Sequence, residues 1–177
     1  MNRKLKLEEL NRPDLDAFKS SKKNPVVVVL DNIRSFNNVG SIFRTADAFA
    51  IEKIILCGIT PAPPHRDIHK TALGATESVT WDYEKNTIDA VKKLKEEGYT
   101  IASIEQAENK VWLQDVKFAP GSKIALVFGH EVDGVEQEVI DMSDLVIEIP
   151  QYGTKHSINI SVCAGIVMWE IIKKLTS

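Results

Sequence analysis

Two kinds of apolar spacing alternate along this chain. Short runs rich in Val, Ile and Leu occupy 25–30 (PVVVVL), 53–59 (KIILCGI), 78–83 (SVTWDY), 100–105 (TIASIE), 123–129 (KIALVFG) and 145–150 (LVIEIP). They show little polar alternation, which is the pattern of strands covered on both faces. Between them lie stretches with helical spacing, at about 38–50, 86–98 and 135–142, and a last one at about 158–175. The first twenty residues hold one more short helix, ending near SSKKNP at 20–25. Strand-helix alternation of this kind predicts an α/β fold, a parallel sheet with helices on both faces. The stretch GITPAPPHRDIHKTALGATE (58–77) is proline-rich and reads as one long loop, the kind that often carries function.

The pattern shows no internal repeat and no second strand-helix series. It divides into an N-terminal helical extension, 1–24, and a single domain, 25–177. A chain of 177 residues buries roughly two-thirds of its unfolded surface and needs no staples. The two cysteines, Cys57 and Cys163, sit in apolar runs without partners at ligand spacing, and the four histidines form no metal pattern. No metal is expected. The longest apolar run, Val26–Leu30, is too short to span a bilayer, and the N-terminus lacks a secretory core, so a cytoplasmic protein with no membrane partner is expected. Net charge is −3, which does not announce a nucleic-acid binder. Basic residues gather only locally, as at His65, Arg66, His69 and Lys70; each cluster alone reads as a solvated face.

Three segments carry candidate chemistry. In DNIRSFNNVGSIFRTADAF (31–49), Val39, Ile42, Phe43, Ala46 and Phe49 share one helix face, and Arg44 lies about 140° from Val39 on the polar side. Asn37 or Asn38 is placed as the N-cap. A helix start at the carboxyl end of a parallel strand faces the ligand crevice, where Asn38 and Arg44 could meet phosphate or ribose oxygens. In ALVFGHEVDGVEQEV (125–139), the strand through Val127 and Phe128 runs into Gly129, and Gly134 precedes a helix. This is neither a dinucleotide fingerprint nor a phosphate-binding P-loop. Glu131 there is a hydrogen-bond acceptor that organises the loop, with acid-base work the lesser alternative. In LVIEIPQYGTKHSINISV (145–162), a strand ends at Pro150, Ser157 is a natural helix cap, and Asn159 opens the last helix. Backbone around Ile149 and Ile158 could line a pocket with Gly129. Val162, Ile166 and Trp169 form a stripe assigned to the core.

In this order, NNVGSIFRTADAF, FGHEVDG and IPQYGTKHSINISV resemble the three motifs of the SpoU (TrmH-like) family of the SPOUT superfamily, over about Val26–Lys174. The stretch KTALGA (70–75) is also similar. The resemblance implies a deep C-terminal trefoil knot, a homodimer, and S-adenosyl-L-methionine as donor, with S-adenosyl-L-homocysteine as product. It implies donor contacts from Gly129, Ile149 and Ile158, with Val127, Phe128, Pro150 and Gly134 around them. Arg44 falls on the family's reactive arginine, Asn38 would hold the substrate ribose or orient Arg44, and Glu131, Ser157 and Asn159 would shape the site. The implied activity is RNA ribose 2′-O-methylation, with tRNA guanosine favoured over rRNA because only about 24 residues precede the domain. An rRNA or tRNA wobble-position substrate is the alternative within the family. A knotted relative that binds RNA or cofactor but has lost catalysis is a further alternative within the superfamily, and a flavodoxin-like nucleotide binder is the alternative outside it.

Overall fold

The computed structural model describes residues 2–176. The core element is β1 (Asn24–Asp31), in which every residue from Val26 to Asp31 is buried. Seven strands form one sheet: β1, β2 (Ile51–Cys57), β3 (Trp81–Glu84), β4 (Thr100–Ile104), β5 (Val111–Trp112), β6 (Ile124–Phe128) and β7 (Leu145–Glu148). Their spatial order is β3-β2-β1-β6-β4-β7-β5, and every pairing is parallel. Strand β6, late in the chain, therefore lies between β1 and β4.

Alternate residues of β1 feed two separate cores. Val26, Val28 and Leu30 pack with α2 (Phe36–Ala48), α3 (Arg66–Ala72), α4 (Ala75–Ser78) and α7 (Ile160–Thr176). Val27 and Val29 pack with α5 (Thr87–Glu96) and α6 (Gln137–Met142). Helices thus cover both faces of the sheet. Helix α2 buries Val39, Ile42, Phe43 and Ala46, as its spacing predicts. Each large side chain of that set contributes about 1.5–3 kcal/mol on burial. A short helix, α1 (Leu15–Ser20), precedes the sheet; Asp14 caps it by accepting from the Ala17 N–H at 2.8 Å, and it buries no residue.

The structure corrects several expectations. The segment 58–77 is not one long loop, because it contains α3 and most of α4. Ile68 and Ala72, four apart, give α3 its buried edge, and His65 caps it. Residues 78–80 precede β3 rather than opening it, since Ser78 closes α4. The N-cap of α2 is Ser35, whose hydroxyl accepts from the Asn38 N–H at 3.3 Å, so Asn37 and Asn38 lie inside the first turn. The stripe Val162, Ile166, Trp169 is not core: these side chains are 53%, 39% and 58% exposed. The buried face of α7 is instead Ala164, Val167, Met168 and Ile171.

Candidate functional site

The carboxyl ends of β4, β6 and β7 open into a cavity of about 510 Å³. Parallel α/β sheets bind ligands at this end of their strands. One wall is the turn 129–134, closed on itself by paired hydrogen bonds between His130 and Gly134 (N–H to O, 3.0 and 2.9 Å). Gly129 permits that closure: a Cβ there would lie 2.1 Å from the Gly134 carbonyl carbon and the Val135 nitrogen. The opposite wall is 149–160, leading into α7. The floor is apolar, from Ile104, Ile147 and Ile149, with Cys163 beside it. Burial pushes the Cys163 thiol up to about 12, so it rests as a neutral thiol.

Beside the cavity, three distant segments meet in a hydrogen-bonded row. The Asn159 amide donates to Asn38 Oδ1 at 3.3 Å, and the Asn38 amide donates to Glu131 Oε1 at 3.2 Å. These links join residues 121 and 93 positions apart. Glu131 also accepts from the Arg34 N–H at 2.9 Å and the Ser35 N–H at 3.0 Å. Its carboxylate therefore sits at the start of α2, where the free N–H groups and the helix dipole favour an anion. Burial alone pushes the Glu131 carboxyl up. The backbone donors of Arg34 and Ser35 and the Asn38 amide outweigh that and hold it below the ordinary carboxylate value. Glu131 is thus an ionised brace with its oxygens engaged. The start of α2 is filled from within the chain and does not offer itself to a phosphate.

Arg44 stands apart from this row. It is exposed, does not line the cavity, and has no hydrogen bond or ion pair among the described residues. It sits six residues past Asn38, about 9 Å along the helix and about 120° around it.

Of the expected donor contacts, Gly129, Gly134, Ile149 and Ile158 line the cavity, as do Glu131, Ser157 and Asn159. Val127 and Phe128 do not. As strand residues on opposite faces, they are fully buried in the two cores. Pro150 lies outside the lining as well. Ser157 is exposed and is not the cap of α7. Asn159 caps it: its Oδ1 accepts from the Ser161 N–H at 2.9 Å and the Ser161 hydroxyl at 2.7 Å. The sequence reading missed Glu105 and Gln106, which also line the cavity. A polar pair closing a predicted strand at its carboxyl end was the available signal. Among the described residues, no group of three or more His, Cys, Asp or Glu could hold a metal ion, and no helix is long and apolar enough to cross a membrane.

A parallel sheet with a mixed apolar and polar crevice at its carboxyl ends defines an α/β ligand-binding domain of the doubly covered kind. The model of the SpoU rRNA Methylase family matches residues 25–169, and the chain belongs to that family. A Staphylococcus haemolyticus protein, by its name of the TrmH family, is 33% identical over 91% of this chain, which spans 65% of its length. A Haemophilus ducreyi protein named 23S rRNA (guanosine-2'-O-)-methyltransferase RlmB is 28% identical over 96% of this chain and 68% of its own length. The crystal structure of an AdoMet-bound rRNA methyltransferase from Sinorhizobium meliloti aligns with a TM-score of 0.81 at 25% identity. That alignment covers 90% of this chain and 61% of that one.

Proposed function

We propose that this chain is an S-adenosylmethionine-dependent RNA ribose 2′-O-methyltransferase that works as a homodimer in the cytoplasm, with tRNA guanosine as the first substrate to test. The observation that carries the reading is the row Glu131–Asn38–Asn159, which joins all three family motifs at the rim of one cavity. The family's naming supports it: the Haemophilus relative is named for 2′-O-methylation of guanosine in 23S rRNA, and the Sinorhizobium structure holds AdoMet.

The cavity fits the donor. Its volume lies in the range of small-molecule sites, roughly 300–1,000 Å³. The apolar floor of Ile104, Ile147 and Ile149, with Ile158 on the wall above, suits a flat base, and the polar rim suits a ribose and an amino-acid end. Gly129 and Ile149 would hold it mainly through backbone groups. When bound, S-adenosylmethionine supplies a methyl already activated by its sulfonium. The remaining work falls to the chain: orienting the ribose hydroxyl and stabilising the oxygen as its proton leaves.

Asn38 is fixed by Glu131 and Asn159, so its position is set before substrate arrives. Arg44 has no hydrogen bond or ion pair among the described residues, which leaves its guanidinium available to an incoming nucleotide. A guanidinium has five donors and no acceptor, so its role is to position the nucleotide and stabilise negative charge, not to take the proton. The ionised, fully engaged Glu131 braces the site and takes no proton either.

Arg44 lies outside the cavity of its own chain, and the exposed stripe of α7 ends at Trp169, whose ring is 5.9 Å from that of Phe49 on α2's flank. In the proposed homodimer this stripe would be the covered face, and the partner's Arg44 would complete the cavity. The insertion of β6 between β1 and β4 suits the trefoil knot of the family's C-terminal part.

The test is transfer of labelled methyl from S-adenosylmethionine to total tRNA and, separately, to rRNA, with nuclease digestion of the product. A 2′-O-methylnucleoside from either pool is the expected result, and the pool names the substrate. Tight S-adenosylhomocysteine binding without transfer to either pool would point to a catalytically silent module.

A further inference from the structure

The carboxyl end of β4 touches both loops that enclose the cavity. The Glu105 N–H donates to the Ile147 carbonyl at 3.1 Å, which anchors the residue to β7. Its side chain then turns toward the 129–134 wall. Oε2 accepts from the Val135 N–H at 2.9 Å, and Oε1 accepts from the Gln106 N–H at 2.8 Å. Gly134 lies directly under this carboxylate. It holds φ +72°, and a Cβ there would stand 2.1 Å from Glu105 Oε2. The carboxylate thus occupies the space a side chain would fill, and fixes the turn from above.

Gln106 takes the other wall. Its amide donates to the His156 carbonyl at 2.7 Å. The stretch 151–157 is exposed throughout. Among the described residues, this is the one hydrogen bond that ties 151–157 to the rest of the chain. Two adjacent side chains therefore hold the two walls of one cavity, and the Glu105 carboxylate also accepts from the Gln106 N–H between them.

We propose that Glu105 and Gln106 are positioning residues that set the spacing of the two cavity walls and so govern how long donor and product stay bound. The inference rests on reading the cavity as the S-adenosylmethionine site. Both border the cavity, but the hydrogen bonds their side chains make go to its two loops and to the Gln106 N–H, so their effect runs through those loops. Losing the Glu105 acceptor leaves the Val135 N–H without its partner and lets the 130–135 turn relax. Losing Gln106 frees 151–157 alone. The first change is the larger, because a carboxylate acceptor makes the stronger bond and serves two donors.

The experiment uses the full chain and S-adenosylhomocysteine as the probe, with Kd from calorimetry and the dissociation rate from stopped-flow fluorescence. Glu105→Ala weakens binding about tenfold, the worth of one charge-assisted hydrogen bond, and does so through faster dissociation. Gln106→Ala has a smaller effect in the same direction. Glu105→Gln keeps one acceptor oxygen and recovers part of the loss. In methyl-transfer assays, KM for the donor rises in Glu105→Ala while KM for RNA stays at the unsubstituted value. Donor affinity and dissociation unchanged in Gln106→Ala and Glu105→Gln would overturn the proposal, even if Glu105→Ala fails to fold. So would a rise in both KM values together with a lower melting midpoint, which marks a general structural role. If the unsubstituted chain does not bind S-adenosylhomocysteine, the reading of the cavity falls first and the inference falls with it.

Discussion

The centre of the sheet and the loops at its carboxyl ends are built by opposite means. In β1 and β6, Val26–Leu30 and Ile124–Phe128 are wholly buried, and each strand is paired on both sides. In the loop after β7, residues 151–157 are exposed and, among the described residues, rest on a single hydrogen bond to Gln106. The centre is held by area removed from water, spread over many side chains. The rim is held by a few directional bonds, each with one donor and one acceptor. Damage to the centre should therefore appear in stability, and damage to the rim in binding and rate.

That separation can be tested from its largest expected effect downward. Phe128→Ala removes a fully buried ring beneath the site, and should cost about 3–5 kcal/mol in urea unfolding. Donor affinity in the fraction that remains folded should be close to that of the unsubstituted chain; a selective loss of donor affinity would join centre and rim into one unit. Arg44→Ala is the converse. It should lower methyl transfer about 10²–10³-fold, with the melting midpoint and S-adenosylhomocysteine affinity unmoved. An unfolded Arg44→Ala variant would make the arginine structural.

A charge on the α7 stripe probes a third kind of surface. If the proposed homodimer is built on this stripe, Trp169→Glu should shift it to monomer in sedimentation and lower the proposed methyl transfer with it, while Leu175 and the buried face of α7 keep the fold. The smallest effect is expected from pH. The folded-state pKa of Glu131 lies below its unfolded value, so its contribution to stability is fully present above the unfolded carboxylate pKa and is lost as pH falls through the folded one. Glu131→Gln should therefore lower the neutral plateau slightly and flatten the acid limb of the stability curve by the same small amount. An unchanged acid limb would show that the brace contributes nothing through its charge.

Much of the fold was legible because its signals are long. Each of the six predicted strands is present to within a few residues, since runs such as Val26–Leu30 have no other compact use. The two-residue β5 carries too little pattern to be seen. Helix α3 was hidden by the prolines and by the cap His65, which is not among the usual capping residues. In α7 the difficulty was surplus rather than absence. The helix carries two apolar stripes, Ala164-Val167-Met168-Ile171 and Val162-Ile166-Trp169, and spacing alone does not say which faces the sheet. At the site, Asn38, Glu131 and Asn159 were named from motifs, but their mutual hydrogen bonds span 93 and 121 residues and have no local signature. The capping role moved from Ser157 to Asn159 because the helix begins two residues later than its apolar pattern.

The position of β6 has a consequence for how the chain is made. β1 and β4 each leave an edge open until β6 enters between them. Synthesis runs from the N-terminus, so the Val26–Leu30 edge emerges nearly a hundred residues before its partner at 124–128. Such late, non-local parallel pairing is slow, and an uncovered strand of this composition is an aggregation template. A nascent chain stalled before residue 124 would thus be a ward for molecular chaperones, whereas the released chain shields that edge with β6, the sixth of its seven strands to be made.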